Sequence, residues 1–168
     1  MSSRRLTLVV LLLLAGAGGA TAGGVLDGAD DAGAGERGRV VKVVDGDTIH
    51  VQVGGTREKV RYIGVDTPET KHPSKGVECF GEKASDFNAG LVAGEQVRLV
   101  RDVEERDRYG RLLAYVYRVR DGLFVNAELA RLGYAQPLSI PPDVRFADRF
   151  AQLAREAREQ GRGLWSAC

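Results

Sequence analysis

The chain has few residues able to bind zinc: two histidines and two cysteines in 168 residues. A zinc centre takes most of its ligands from those two side chains, so no credible zinc site can be assembled near the acidic residues considered below. Charge of one sign is not in excess either. There are 24 basic and 23 acidic residues, and without Arg4 and Arg5 the balance becomes 22 against 23. Overall charge therefore gives no reason to expect a polyanionic partner, and any such reason must be local. The longest apolar run, Leu6 to Leu14, interrupted only by Thr7, is too short to cross the ~30 Å of a bilayer's hydrocarbon core. No internal repeat is present. What remains is an ordinary globular balance, 43% hydrophobic and 28% charged, which suits one domain with a short accessory segment.

Residues 1–22 read as a secretory signal peptide. Arg4 and Arg5 supply the charged start, Leu6 to Leu14 the apolar centre, and Ala20-Thr21-Ala22 the small-residue cleavage site. No cysteine follows the apolar centre, so a lipid anchor is not expected. The mature protein is expected outside the cell or in the envelope, without stable membrane association. Residues 23–38, rich in Gly, Ala and Asp without apolar periodicity, read as a flexible linker. The folded domain is expected over 39–168.

Within that domain, Val41, Val43, Asp45, Asp47, Ile49, Val51 and Val53 alternate with mostly polar neighbours, as in strands with one buried face. Gly46 interrupts them as a bend or bulge. Gly54-Gly55 marks a hairpin, and Thr56 to Val65 returns as a second strand. Phe80 to Ala93 has helical spacing with Gly94 beyond its end. Two further strands are predicted over Val97–Val103 and Arg111–Val119. Asn126 is read as the N-cap of a helix over Ala127–Leu132, and a last amphipathic helix is predicted from about Asp143 to Gln160. Strands, helix, strands and two helices point to an α+β fold, mainly β, in which a five-stranded OB-type barrel carries three packed helices.

Three segments carry chemistry. Asp45 and Asp47 flank Gly46, and on an apolar face two carboxylates are costly unless a cation or donors compensate. Alone, such a segment is commonly only a turn. The next strand ends in Asp66-Thr67-Pro68-Glu69, with Arg61 five residues earlier. Asp47, Asp66 and the Thr67 carbonyl are hard oxygen donors of the kind calcium takes, with room left for water and phosphate. The third segment is Asp107-Arg108-Tyr109-Gly110-Arg111. Arginine's fork of donors suits phosphate oxygens, although a single arginine is more often a salt-bridged surface residue. A metal, two arginines and a free carboxylate to activate water would complete a phosphodiesterase site.

These segments resemble the staphylococcal nuclease family. The matching runs are Asp45-Gly46-Asp47-Thr48, Val65 to Pro73 (VDTPETKHP), Lys75 to Glu78 (KGVE), Asp107 to Arg111 (DRYGR) with Leu113-Ala114-Tyr115, and Gly163-Leu164-Trp165. They cover about Arg39 to Ser166 in the family's order. The resemblance implies an OB barrel with three helices and calcium held by Asp47, Asp66 and the Thr67 carbonyl, with Asp45 in support. It implies Glu69 as general base and Arg61 and Arg111 as the phosphate-gripping arginines. Arg108 and Tyr109 fall where the family contacts the nucleotide, with Lys71 and Lys75 in a basic loop beside the site. The expected substrates are DNA and RNA, cleaved to leave 3′-phosphate ends, by a monomer.

Two departures stand out. Ser139 and Pro141 align with a pair of tyrosines that flank the bound base in the family's type member, which weakens any expectation of base stacking. Cys79 and Cys168, absent from that type member, are expected to pair as a disulfide in an exported chain. His50 and His72 read as surface residues, and Trp165 as a packing residue at the C-terminus. The competing reading is a non-catalytic OB module that binds nucleic acid or a protein partner; a further one is an envelope interaction domain. Neither gives Glu69 a purpose beside two metal carboxylates.

Overall fold

The computed structural model describes residues 35–70, 76 and 78–168. The expected signal peptide and most of the expected linker, together with Lys71, His72 and Lys75, lie outside them. Among the described residues seven strands and four helices follow in order: β1 (Glu36–Val43), β2 (Thr48–Val53), β3 (Thr56–Tyr62), β4 (Gly64–Asp66), α1 (Gly81–Val92), β5 (Gln96–Val100), β6 (Leu112–Arg118), α2 (Val125–Arg131), β7 (Gln136–Leu138), α3 (Ala147–Glu159) and α4 (Leu164–Ala167).

Five strands close into a barrel in the order β1-β2-β3-β6-β5, while β4 and β7 form a separate two-stranded sheet. This is the expected mainly-β barrel with packed helices. Within the barrel only the β3–β6 pairing is parallel. The alternation of β2 and β3 sends Ile49, Val51, Val60 and Tyr62 inward, where they meet Val97, Leu99, Leu112 and Val116. Each fully buried side chain of this size contributes about 1.5–3 kcal/mol.

The structure corrects the sequence reading at several points. The register of β1 against β2 shifts between Val40 and Lys42, so Val40 is buried and Val41 is 48% exposed. The alternation read from sequence is out of phase before that bulge. β1 begins at Glu36, which pairs with Leu99 of β5, so the ordered strand reaches into the segment read as linker. Asp45 and Asp47 stand in the loop between β1 and β2, not on a strand face. The return strand breaks at Ile63, and Gly64 restarts the chain as β4 with φ +81. No side chain fits at Gly64, because an added Cβ would overlap the ring of the fully buried Phe150 of α3. That tight turn aims Val65, Asp66 and Thr67 back toward the β1–β2 loop.

Helix α2 begins at Val125 with Phe124 at its cap position, so Asn126 is not an N-cap. It is fully buried. Its amide accepts from the Val116 N–H at 2.9 Å and donates to the Ile63 carbonyl at 2.9 Å, tying β6 to the β3–β4 break. Helix α3 starts at Ala147, later than the spacing predicts. Asp143 instead accepts from the N–H groups of Val103 and Glu104 at 2.9 and 2.8 Å, which pins the loop between β5 and β6. β5 therefore stops at Val100. No helix of the described residues is long and apolar enough to cross a membrane.

Candidate active site

The site is assembled where the β1–β2 loop, β4 and the end of β3 meet. Gly46 lets the loop lie against Thr67, since a Cβ at that position would stand 2.6 Å from the Thr67 Oγ1. With the two segments in contact, the Asp47 Oδ2 accepts both the Thr67 N–H at 2.8 Å and the Thr67 hydroxyl at 2.9 Å. Its Oδ1 accepts from the Thr48 hydroxyl at 3.1 Å. Asp47 is 5% exposed, and these donors are what make so buried a carboxylate tenable.

Arg61, near the end of β3, lies between two acids. Its Nη1 is 2.8 Å from the Asp47 Oδ2 and its Nη2 is 2.6 Å from the Asp66 Oδ1. Nη1 also donates to the Val65 carbonyl at 3.0 Å, which fixes the guanidinium against the β4 main chain. Asp45 sits beside this pair, accepting the Asp47 N–H at 3.1 Å. Burial, then the charge of Asp47, pushes the Asp45 carboxyl up to about 6. Asp66 is also raised, by burial first, with Asp47 and Glu78 adding to it and Arg61 opposing. Three carboxylates thus share one arginine, and negative charge is left over. Among the described residues no group of three or more His, Cys, Asp or Glu is arranged to hold a metal ion by itself.

Asn88 of α1 is a site residue that the sequence reading missed. It is fully buried, donates to the Asp45 carbonyl at 3.0 Å and accepts from the Tyr62 hydroxyl at 3.0 Å. The helix thereby holds the acidic loop. A polar residue on an otherwise packed helix face was the available signal.

Glu69 follows on the chain and is partly buried; Glu78 and Gly81 hold its main chain. Arg111, which lines the pocket described below while Glu69 does not, stands at the end of the long loop that precedes β6. Asp107 organises that loop by accepting the N–H groups of Tyr109 and Arg111 at 2.9 and 3.0 Å and the Arg111 Nε at 2.6 Å. Burial alone would raise the Asp107 carboxyl, but these bonds and the charge of Arg111 hold it below its ordinary range. The guanidinium of Arg108 stacks on Tyr109, 4.8 Å from the ring centre.

Arg61, Arg108, Tyr109 and Arg111 all line one open pocket of about 490 Å³. The two predicted arginines, 50 positions apart, therefore face a single cavity. Its far wall is Leu138 and Ile140, not Ser139 and Pro141. The segment aligned with the type member's tyrosines offers aliphatic side chains there, and Ile140 is 60% exposed. Cys79 and Cys168 form a disulfide with their Cα atoms 6.0 Å apart. His50 is half-buried on the outside of the barrel. Trp165 lies under Arg158, whose guanidinium is 4.2 Å from the ring centre, at the C-terminal end and away from the pocket lining.

Residues 59–167 match the family model described as staphylococcal nuclease homologue. The chain belongs to the staphylococcal nuclease family. It is 39% identical over 128 residues to the thermonuclease of Staphylococcus hyicus, covering 76% of this chain and 75% of that one. It is 40% identical over 131 residues to the thermonuclease of Staphylococcus intermedius, covering 78% and 77%. Endonuclease YncB of Bacillus subtilis is 41% identical over 127 residues, 74% of this chain and 59% of that protein.

Proposed function

We propose that the protein is a secreted, calcium-dependent nuclease that hydrolyses phosphodiester bonds of DNA and RNA and leaves 3′-phosphate ends. The thermonuclease and endonuclease relatives support the coarser reading of a hydrolytic nuclease. The observation that carries the reading is that Arg61, which is ion-paired to both Asp47 and Asp66, lines the same pocket as Arg111.

The donor set fits a hard divalent cation. It is all oxygen, and three carboxylates, those of Asp45, Asp47 and Asp66, stand around the one guanidinium of Arg61. Asp47, Asp66 and the Thr67 carbonyl would hold the ion, with Asp45 behind Asp47. When bound it would supply positive charge to a phosphate oxygen. Arg61 and Arg111 donate to the non-bridging oxygens, where charge builds as water attacks phosphorus. Glu69 takes the proton of that water as general base. The bond to the 5′ oxygen breaks, that oxygen takes up a proton from solvent to leave as a 5′-hydroxyl, and the phosphate stays on the 3′ side. Arg108, Tyr109 and Lys75 contact the nucleotide.

Export is supported by Arg4-Arg5, the run Leu6 to Leu14 and Ala20-Thr21-Ala22, and N-terminal sequencing of protein from culture medium would test it. The activity itself is tested by incubating single- and double-stranded DNA and RNA with calcium, and with EGTA plus magnesium. Cleavage only with calcium, and product ends that phosphatase must treat before extension, are expected. Full activity in EGTA plus magnesium would overturn the calcium assignment. Binding without cleavage in any metal would leave a non-catalytic OB module.

A further inference from the structure

The outer face of the β1-β2-β3 sheet is lined by cations with no acid among them. On β1 the outward residues are Arg37 and Arg39, then Lys42 after the bulge; on β3 they are Arg57 and Lys59; all five are exposed. The strand register sets them in rows. Arg39 pairs with Gln52, which pairs with Arg57; Lys42 pairs with His50, which pairs with Lys59. Side chains directly opposite stand about 4.5–5.5 Å apart at Cβ. Each row is thus cation, neutral polar, cation. The lowered pKa of His50, caused by burial and then by Arg57, Lys42 and Lys59, agrees with that crowding.

Of the other arginines, Arg61, Arg101, Arg106, Arg111, Arg118 and Arg131 each meet a carboxylate within 4 Å. Among the described residues none of the five cations on this face does. The nearby acids are committed elsewhere, Glu36 to Arg101 and Glu58 to Arg106. The two cations of each row stand two strands apart, roughly 9.4–9.8 Å, with no acid between them. In a chain that is nearly neutral overall, such a concentration is the footprint of a polyanion.

Direction is given by β3. Strand alternation puts Arg57, Lys59 and Arg61 on one face, roughly 6.6–6.8 Å apart along the strand. The line of cations therefore ends at the arginine that faces the pocket. We propose that the outer face of β1, β2 and β3 is a binding track for a single nucleic-acid strand, running from Arg61 past Lys59 and Arg57 and flanked by Lys42 and Arg39. The strand's exit from the pocket rests on the nuclease reading; its affinity for the face does not. No aromatic ring lies on these rows, so the contacts are to phosphates, independent of sequence and sensitive to salt. An anionic membrane is disfavoured, because Val41 is the one large exposed apolar side chain on these three strands.

The test is fluorescence anisotropy of 5′-labelled oligothymidylates of four and sixteen nucleotides with the full chain in EDTA. The comparison is with the variant Arg39→Gln/Lys42→Gln/Arg57→Gln/Lys59→Gln, and with Arg57→Gln/Lys59→Gln should the fourfold variant melt early. The sixteen-mer should bind the variant about tenfold or more weakly, with a salt slope shallower by up to about 3, given ~0.7 per phosphate contact. The four-mer should be affected less. Equal affinity and slope for the sixteen-mer would overturn the track. So would loss of binding to anionic phospholipid vesicles alone, with oligonucleotide affinity kept. Failure of the wild-type chain to cleave in calcium would instead sink the nuclease reading, and the anisotropy would still report on the face.

Discussion

The main-chain N–H of Glu69 donates to the carboxylate of Glu78 at 3.0 Å, and the N–H of Glu78 donates to the Glu69 carbonyl at 2.8 Å. This reciprocal pair joins Glu69 to Glu78, nine positions on in the chain. Gly81, the first residue of α1, completes the clamp, because an added Cβ would stand 2.7 Å from the Glu69 carbonyl oxygen. The main chain that presents Glu69 is thereby fixed by contacts outside its own segment.

Glu69→Gln should therefore lose about 10²–10⁴-fold in turnover with nucleotide affinity retained, as expected on removing a general base. Glu78→Ala should lose up to about 10²-fold through misplacement of Glu69. Glu78→Gln should recover most of that, since an amide oxygen still accepts the Glu69 N–H. Separate kcat and KM values on one oligonucleotide check both. Near wild-type turnover in Glu69→Gln would remove Glu69 from the mechanism, and equal losses in both Glu78 variants would remove the clamp.

Asp107→Ala should slow cleavage and destabilise the fold by about 1–3 kcal/mol, because three donors on Tyr109 and Arg111 lose their acceptor at once. The sign of the pH dependence follows from the depressed carboxyl of Asp107. Its stabilisation is complete above the unfolded value of about 3.9 and is lost as pH falls through the lower folded value. Carbon-detected NMR titration should give an Asp107 midpoint below that of an unfolded peptide. A midpoint at or above it would mean that the loop is held by something else.

The barrel was legible in the sequence because β2 and β3 alternate cleanly and Gly54-Gly55 marks their turn. The phase of β1 was not, since a bulge at Val40–Lys42 leaves no local signature. β4 and β7 were missed because each is three residues long and β7 contains Pro137. Asn126 and Asp143 look like helix starts by residue type alone. Tertiary structure uses both instead to satisfy main-chain groups far away in sequence. In the candidate site, the grouping of Arg61, Asp66 and Thr67 was legible because they are near one another in the chain. Asn88 and Glu78 act on main-chain atoms of other segments, which no local pattern announces.

Gly46→Ala should weaken the proposed nuclease activity more than it weakens the fold. The new methyl would press on Thr67 and open the bonds that Thr67 makes to Asp47. Gly64→Ala should do the reverse. It overlaps Phe150 and burdens a residue at φ +81, a combination worth about 3 kcal/mol or more. Urea melts and calcium titrations of activity distinguish them. A Gly64→Ala protein as stable as wild type would mean that α3 can move off β4 without cost.

Reduction of Cys79–Cys168 should lower the melting temperature markedly. The bond joins residues 89 apart in sequence, and in the chain-entropy model a loop of that size is worth up to about 4–5 kcal/mol. For a domain of this length that is about 10 °C or more. The last helix, α4, is four residues long, and its hold on the rest depends on close approaches such as the Leu164 N–H bonding the Gly133 carbonyl at 2.9 Å. Without the disulfide this end should fray first. Cys79 is also the neighbour of Glu78, so loosening there should reach the Glu69 clamp. Melts with and without reductant, alongside Cys79→Ser/Cys168→Ser, measure the first effect, and turnover at low temperature measures the second. Identical melting in all three samples would leave the bond without a stabilising role. A large loss of melting temperature with unchanged turnover would confine its effect to the C-terminal segment.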